Sequence, residues 1–107
     1  MSEKENRDKL LEFLDQRAFE PVLQASKEKY PADQRKMLKD VQSTTKSTQK
    51  RYHNKYDSPQ EIYNNFKNDL SSASAQAVHQ QLQQLGLPTL KDIRSDFEKL
   101  ANDLGVS

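Results

Sequence analysis

Apolar residues recur along this chain at steps of three and four, the period of an amphipathic helix. Leu10, Leu11, Phe13, Leu14 and Ala18 form the first such face. Ser2 precedes it as a cap, and Glu3 and Glu5 in the first turn suit the positive end of the helix dipole. This helix is expected to run to about Ala18. Proline within a helix removes a hydrogen bond and clashes with the preceding turn, so Pro21 is read as the first residue of a short second helix carrying Val22, Leu23 and Ala25. A single kinked helix is the alternative. Pro31 pushes Tyr30 toward extended geometry. A long helix follows, from about Ala32 to Tyr56. Its inner positions, Leu38, Val41, Thr45, Thr48 and Tyr52, step by 3, 4, 3 and 4, as in a coiled-coil seam. The middle of that seam is threonine rather than leucine, so it is weakly hydrophobic.

Asp57-Ser58-Pro59-Gln60-Glu61 is the strongest local signal. Ser58 stands at the N-cap, Pro59 at the first helical position, and Glu61 completes a capping box. The fourth helix carries Tyr63, Phe66, Leu70, Ala73 and Ala77, after which the stripe shifts by one residue to Val78, Leu82 and Leu85. A continuous helix is expected across the shift. Ser71-Ser72 breaking it and capping a new helix is the alternative. Gly86 ends the helix as a left-handed cap. Thr89 caps the last helix, with Asp92 at the capping-box position, and Leu90, Ile93, Phe97, Leu100 and Leu104 form the cleanest stripe in the chain before Gly105 stops it.

These elements predict an all-α fold, a small antiparallel helical bundle of about five helices within one domain, residues 1–107. Short connections at Asp57-Ser58 and Gly86-Pro88 are expected to fold the third, fourth and fifth helices back on one another. Thr44, Thr45 and Thr48 would then face Leu70, Ser71, Ser72 and Ala73, and such small residues let helices approach to about 8 Å. Phe66 and Phe97 are expected in the core.

Composition narrows the class. Apolar residues are 33% of the chain, charged residues 31%, and mean hydropathy is -1.08. A chain this polar buries a narrow stripe per helix and has a thin core. Cysteine is absent, so no disulfide or thiolate metal site exists. Met1 to Lys9 has no apolar run of signal-peptide length, and no segment is apolar enough to span a bilayer. A cytoplasmic protein without membrane contact is expected. Glycine occurs twice, which rules out the multi-glycine phosphate loops.

Charge is unevenly spread. Residues 1–30 hold 6 basic and 7 acidic residues, residues 31–56 hold 7 and 2, and residues 57–107 hold 4 and 7. The basic block is one helix: Arg35, Lys36, Lys39, Lys46, Lys50, Arg51 and Lys55, with Tyr52, His53 and Tyr56 among them. Basic residues with aromatics neutralise phosphates and stack bases. Lys39, Lys46 and Lys50 are close in angle, whereas the other four spread around the helix, and a net charge of +1 departs from the strongly basic balance of many nucleic-acid binders.

His53 and Asp57, four apart, suggest with Tyr52 and Glu61 an acid–base or partial metal site, but two ligands do not make a site. His79, among Gln and Ala, reads as a surface histidine. Asp92, Asp96, Glu98 and Asp103 read as a cap and a wet face, and Ser71, Ser72 and Ser74 as small packing residues. No catalytic motif and no cofactor site is expected. The leading expectation is a cytoplasmic protein–protein interaction module with an unidentified protein partner or self-association, the seam Leu90, Ile93, Phe97, Leu100 and Leu104 being shared with the partner. The alternative is nucleic-acid binding through the helix at residues 31–56.

Overall fold

A computed structural model describes residues 2–106 and shows them 79% helical, with no strand among them. The all-α expectation holds. The elements are α1 (Glu3–Leu14), α2 (Glu20–Leu23), α3 (Ala32–Lys55), α4 (Pro59–Ser71), α5 (Ala73–Gln84) and α6 (Arg94–Asp103). Among the described residues no helix is long and apolar enough to cross a membrane.

Ser2 caps α1 by accepting from the Glu5 N–H. Between α1 and α2 the backbone stays right-handed helical through a π turn at Asp15–Phe19, in which the Glu20 N–H donates to the Asp15 carbonyl five residues back. The turn accommodates Pro21, which would clash with the carbonyl four residues earlier in an α-helix. The short second helix exists, but as the end of one continuous bent rod, and Ala25 lies beyond it. The wider turn also brings Ala18 and Phe19 inward together, and both are buried. Gln42 of α3 donates to the Val22 and Ala25 carbonyls, satisfying acceptors left open where α2 ends. Ser26 caps a single 3-10 turn at Lys27–Lys29. Tyr30 is extended before Pro31, as its neighbour dictates, and its hydroxyl donates to the Leu85 carbonyl at 2.8 Å.

The capping box forms as expected: the Ser58 hydroxyl accepts from the Glu61 N–H at 3.2 Å, and Glu61 accepts from the Ser58 N–H at 3.3 Å. Ser58→Ala is expected to cost about 1 kcal/mol. Thermal unfolding should show this as a fall of about 4–8 °C, and an unchanged midpoint would mean the cap contributes nothing.

The continuous fourth helix does not form. Ser72 is extended, ends α4, and caps α5 by accepting from the Ala75 N–H at 3.2 Å. Gln76 reaches back to the Leu70 carbonyl at 2.7 Å, so the broken end keeps its partners. The one-residue shift of the stripe thus marks a break. At Gly86, with φ of 70°, Leu87 N–H donates to Leu82 and Gly86 N–H to Gln83, the paired bonds of a left-handed helix stop. Thr89 and Asp92 exchange the expected bonds, at 3.3 and 2.9 Å, but they hold a turn, and α6 begins only at Arg94.

The helices pack around two hydrophobic clusters. The larger joins Leu10, Leu14, Ile62, Phe66, Phe97 and Tyr52, drawn from α1, α4, α6 and the end of α3. The smaller joins Val22, Leu38, Val41, Leu82 and Leu85, from α2, α3 and α5. The long α3 spans both, within an elongated body of 47 × 22 × 21 Å. Its main neighbours are α2 and α5, while α4 packs on α1 and α5, so α3 does not lie along α4 as the short connection suggested.

Candidate functional site

The threonines of the α3 seam sit between the two clusters, and here the helices do not close. A partly open trough of about 170 Å³ separates them. Thr44, Thr45 and Thr48 of α3 form one wall, and Ser72 at the α5 cap with Ser74, Ala75 and His79 of α5 the other. Ala18, Phe19 and Val22 from the π turn and α2 line it, as do Val78 and Leu82. The small residues anticipated to bring two helices together therefore line a space instead. Bulky side chains on either side, Tyr52 and Phe19 in one cluster and Leu38 and Leu82 in the other, set the separation, and the small residues between them are too short to fill it.

One end of the trough is polar and tightly bonded. Asp69 of α4 accepts from the Tyr52 hydroxyl at 2.7 Å and from Arg51 at 3.0 Å, and Arg51 donates to the Tyr56 hydroxyl at 2.6 Å. Burial, with the Asp69 charge beside it, pushes the Tyr52 phenol well above its usual range, so it stays protonated. The Arg51 charge is balanced by Asp69, which leaves this end of the trough neutral.

His79 corrects the sequence reading. It is 4% exposed rather than a surface residue. Its Nδ1 is buried without a hydrogen-bond partner. Burial, aided by the Lys91 charge, lowers its pKa below the usual 6.5. The unfolded chain binds this proton more readily than the folded one, so stability falls as pH drops below about 6.5 toward the folded value, and is regained above it. Melting temperature is expected to fall between about pH 7 and pH 5.5, more steeply in the native chain than in His79→Leu. Parallel pH profiles would show that His79 titrates alike in both states.

The His53 and Asp57 pairing does not occur. His53 instead bonds Asp15, at 2.8 Å from Nε2, and Gln49 bridges Asp15 and Glu20 at 3.1 Å each. Glu61 is engaged in its cap and Tyr52 with Asp69. Among the described residues no group of three or more His, Cys, Asp or Glu is placed to hold a metal ion.

The basic residues of α3 divide. Arg51 belongs to the trough network. Arg35 donates to the Tyr30 carbonyl at 3.0 Å. Lys36, Lys39, Lys46, Lys50 and Lys55 are exposed. At about 100° per residue, Lys36, Lys39, Lys46 and Lys50 fall within about 80° of one another on the side away from Leu38 and Val41, over about 21 Å of helix. Lys36 thus joins the other three, whereas Lys55 lies apart. The stripe of the last helix points inward: Ile93 and Phe97 are buried, and Leu90, Leu100 and Leu104 pack half-buried against the larger cluster.

Sequence reasoning missed Asp69 and the burial of His79. The available signal was the run of hydroxyls on the inner face of α3, where a seam ordinarily carries leucine. Compared with known protein families, curated proteins and solved structures, the chain matches none.

Proposed function

We propose that this chain is a non-catalytic, cytoplasmic protein–protein interaction module that receives an anchoring side chain of a partner segment in the trough between α3 and α5. The trough carries this reading. It is concave, has apolar walls with a few polar groups, and is kept open by clusters packed on both sides. Those are the general features of a recognition pocket. A leucine at the Thr48 position would serve the seam better, so the threonine favours an open space over stability. The partner is a different protein rather than a second copy, because the last-helix stripe that would pair copies is packed inward.

The test couples stability to binding. Ala75→Leu and Thr48→Leu fill the trough and are expected to stabilise the free chain by about 0.5–2 kcal/mol, in the manner of cavity-filling changes. Peptides selected from a displayed library on the native chain should bind these variants at least tenfold more weakly. If no peptide is selected, or if the filled variants bind equally well, the reading is wrong.

The lysine ridge supports a second reading, sequence-independent binding of a nucleic-acid backbone. The face carries no bulky apolar residue between its lysines, only polar ones such as Ser43, Ser47 and Asn54, so it offers charge without an insertion surface. If Lys36, Lys39, Lys46 and Lys50 each neutralise one phosphate, log affinity should fall with log salt at a slope of about -3.6. Fluorescence anisotropy with short labelled duplexes measures it. Sub-micromolar binding at physiological salt, lost when Lys46 and Lys50 become Gln, would displace the first reading. No binding at low salt removes the second.

A further inference from the structure

We propose that the partner segment held in the trough is acidic, with carboxylates beside its apolar anchor that pair with Lys46, Lys50 and Lys55 of α3; this rests on the trough being the partner site. The charge around the trough is one-sided. On one wall, α5 from Ala73 to Gln84 contains no Asp, Glu, Lys or Arg. On the other, residues 43–55 of α3 carry Lys46, Lys50, Arg51 and Lys55 and no acid. Asp69 lines the trough, but it is already engaged by Arg51 and the Tyr52 hydroxyl. At the far end Lys91 bonds Gln76 and stands next to Asp92, so that pair adds no net charge. The five arginines are all bonded within the fold. Lys46, Lys50 and Lys55 are exposed, and none of them belongs to an ion pair among the described residues.

The lysines lie within reach of a segment anchored in the trough. Lys55 is two turns beyond Thr48 on the same line of α3, about 10 Å along the axis. Lys50 is about 120° round from Thr44, which on a helix about 10–12 Å across is about 11 Å of surface. Three or four residues of extended chain span about that distance, so acids that close to the anchor meet the lysines. A nucleic acid fits this surface less well. Followed toward the start of α3 it would meet Asp33 and Asp40. It would also find no free ring to stack on, because Tyr52 is buried and His53 is held by Asp15. A short acidic peptide touches only residues 43–55 and uses the trough as well. Unlike charge at the rim of an apolar site speeds association and rejects basic competitors.

The experiment selects peptides from an unbiased displayed library on the full chain at physiological salt, then measures their binding kinetics on variants. The selected peptides are expected to carry acids within about four residues of an apolar anchor. The combined change Lys46→Gln, Lys50→Gln and Lys55→Gln keeps good helix formers on an exposed face. It should weaken these peptides about tenfold, chiefly through slower association. Thr48→Leu should weaken them through faster dissociation. Replacing the acids of a peptide by their amides should match the effect of the lysine changes, and the two together should add little. Failure of the two readings separates cleanly. Peptides that need the trough but are neutral or basic, or that bind the lysine variant as tightly as the native chain, defeat the acidic partner and leave the interaction module standing. If no peptide is selected, the module falls and the acidic segment with it. Acidic peptides indifferent to Thr48→Leu, or a labelled duplex bound more tightly than any of them, would assign the lysines to a polyanion and overturn the proposal. Salt-sensitive dimerisation of the chain alone, abolished by the lysine changes, would assign them to a second copy and overturn it too.

Discussion

Phe97→Ala is expected to unfold the protein, or to leave it without a cooperative thermal transition near room temperature. The ring is 0% exposed. It stacks on Phe66 at a centroid distance of 4.1 Å and also meets Tyr63 at 6.3 Å and Phe13 at 5.9 Å. Truncating a buried phenylalanine costs about 3–5 kcal/mol. Loss of the aromatic pairs is included in that figure, each being worth about 0.5–1.5 kcal/mol beyond its area. A domain of this size has a total stability near the low end of about 5–15 kcal/mol, because only 33% of its residues are apolar. The cost is therefore most of what holds the fold. Leu82→Ala in the smaller cluster should cost about 2–5 kcal/mol. Because α3 contributes Tyr52 to one cluster and Leu38 and Val41 to the other, both changes should shift one shared transition. Urea unfolding followed by circular dichroism decides the matter. A Phe97→Ala chain that melts within a few degrees of the native one would place that ring outside the core. Two separated transitions would mean the clusters fold independently.

What was legible in the sequence shares a physical character. The Ser58 box, the Gly86 stop and the extended Tyr30 are made by residues within a few positions of one another, and local chemistry fixes them. Phe66 and Phe97 were legible because large rings on a clear stripe have no alternative burial. The break at Ser72 was harder, since Ser71-Ser72 is compatible with a helix interior and with a cap. Gln76 closing on the Leu70 carbonyl, and the separate packing of α4 on α1 and α5 on α3, tip the balance. The candidate site was the least legible. Arg51 and Asp69 are 18 residues apart, and His53 and Asp15 are 38 apart, so no spacing rule brings them together. The burial of His79 depends on α5 lying against α3, which its polar neighbours in sequence concealed. The threonines were legible as a weak seam. Whether a weak seam closes or stays open is set by the bulk of the residues at its two ends, and that is a property of the assembled helices.

Asp69→Ala is expected to cost about 3 kcal/mol, the largest loss from any single polar side chain considered. One carboxylate oxygen receives both the Tyr52 hydroxyl and the Arg51 guanidinium. Hydrogen bonds to a charged group are worth about 1.5–3 kcal/mol, and a buried donor left without a partner costs about 1–3 kcal/mol. Tyr52 is 0% exposed, so its hydroxyl bears the full penalty. The ion pair itself is partly exposed, and solvent screening limits its share to at most about 1 kcal/mol. Most of the loss should therefore run through the tyrosine. That ordering is testable in a double-mutant cycle. Tyr52→Phe removes the donor while Asp69 keeps Arg51, and should cost only about 1 kcal/mol. Combined with Asp69→Ala, it should restore part of the loss, giving a coupling of about 1–3 kcal/mol as expected of contacting residues. Asp69→Asn, which retains an acceptor oxygen, should fall between the native chain and Asp69→Ala. Urea unfolding midpoints provide each value. Strict additivity of the two substitutions would show that Tyr52 and Asp69 contribute separately, and that Arg51 rather than the tyrosine is the partner that anchors α4 to the end of α3.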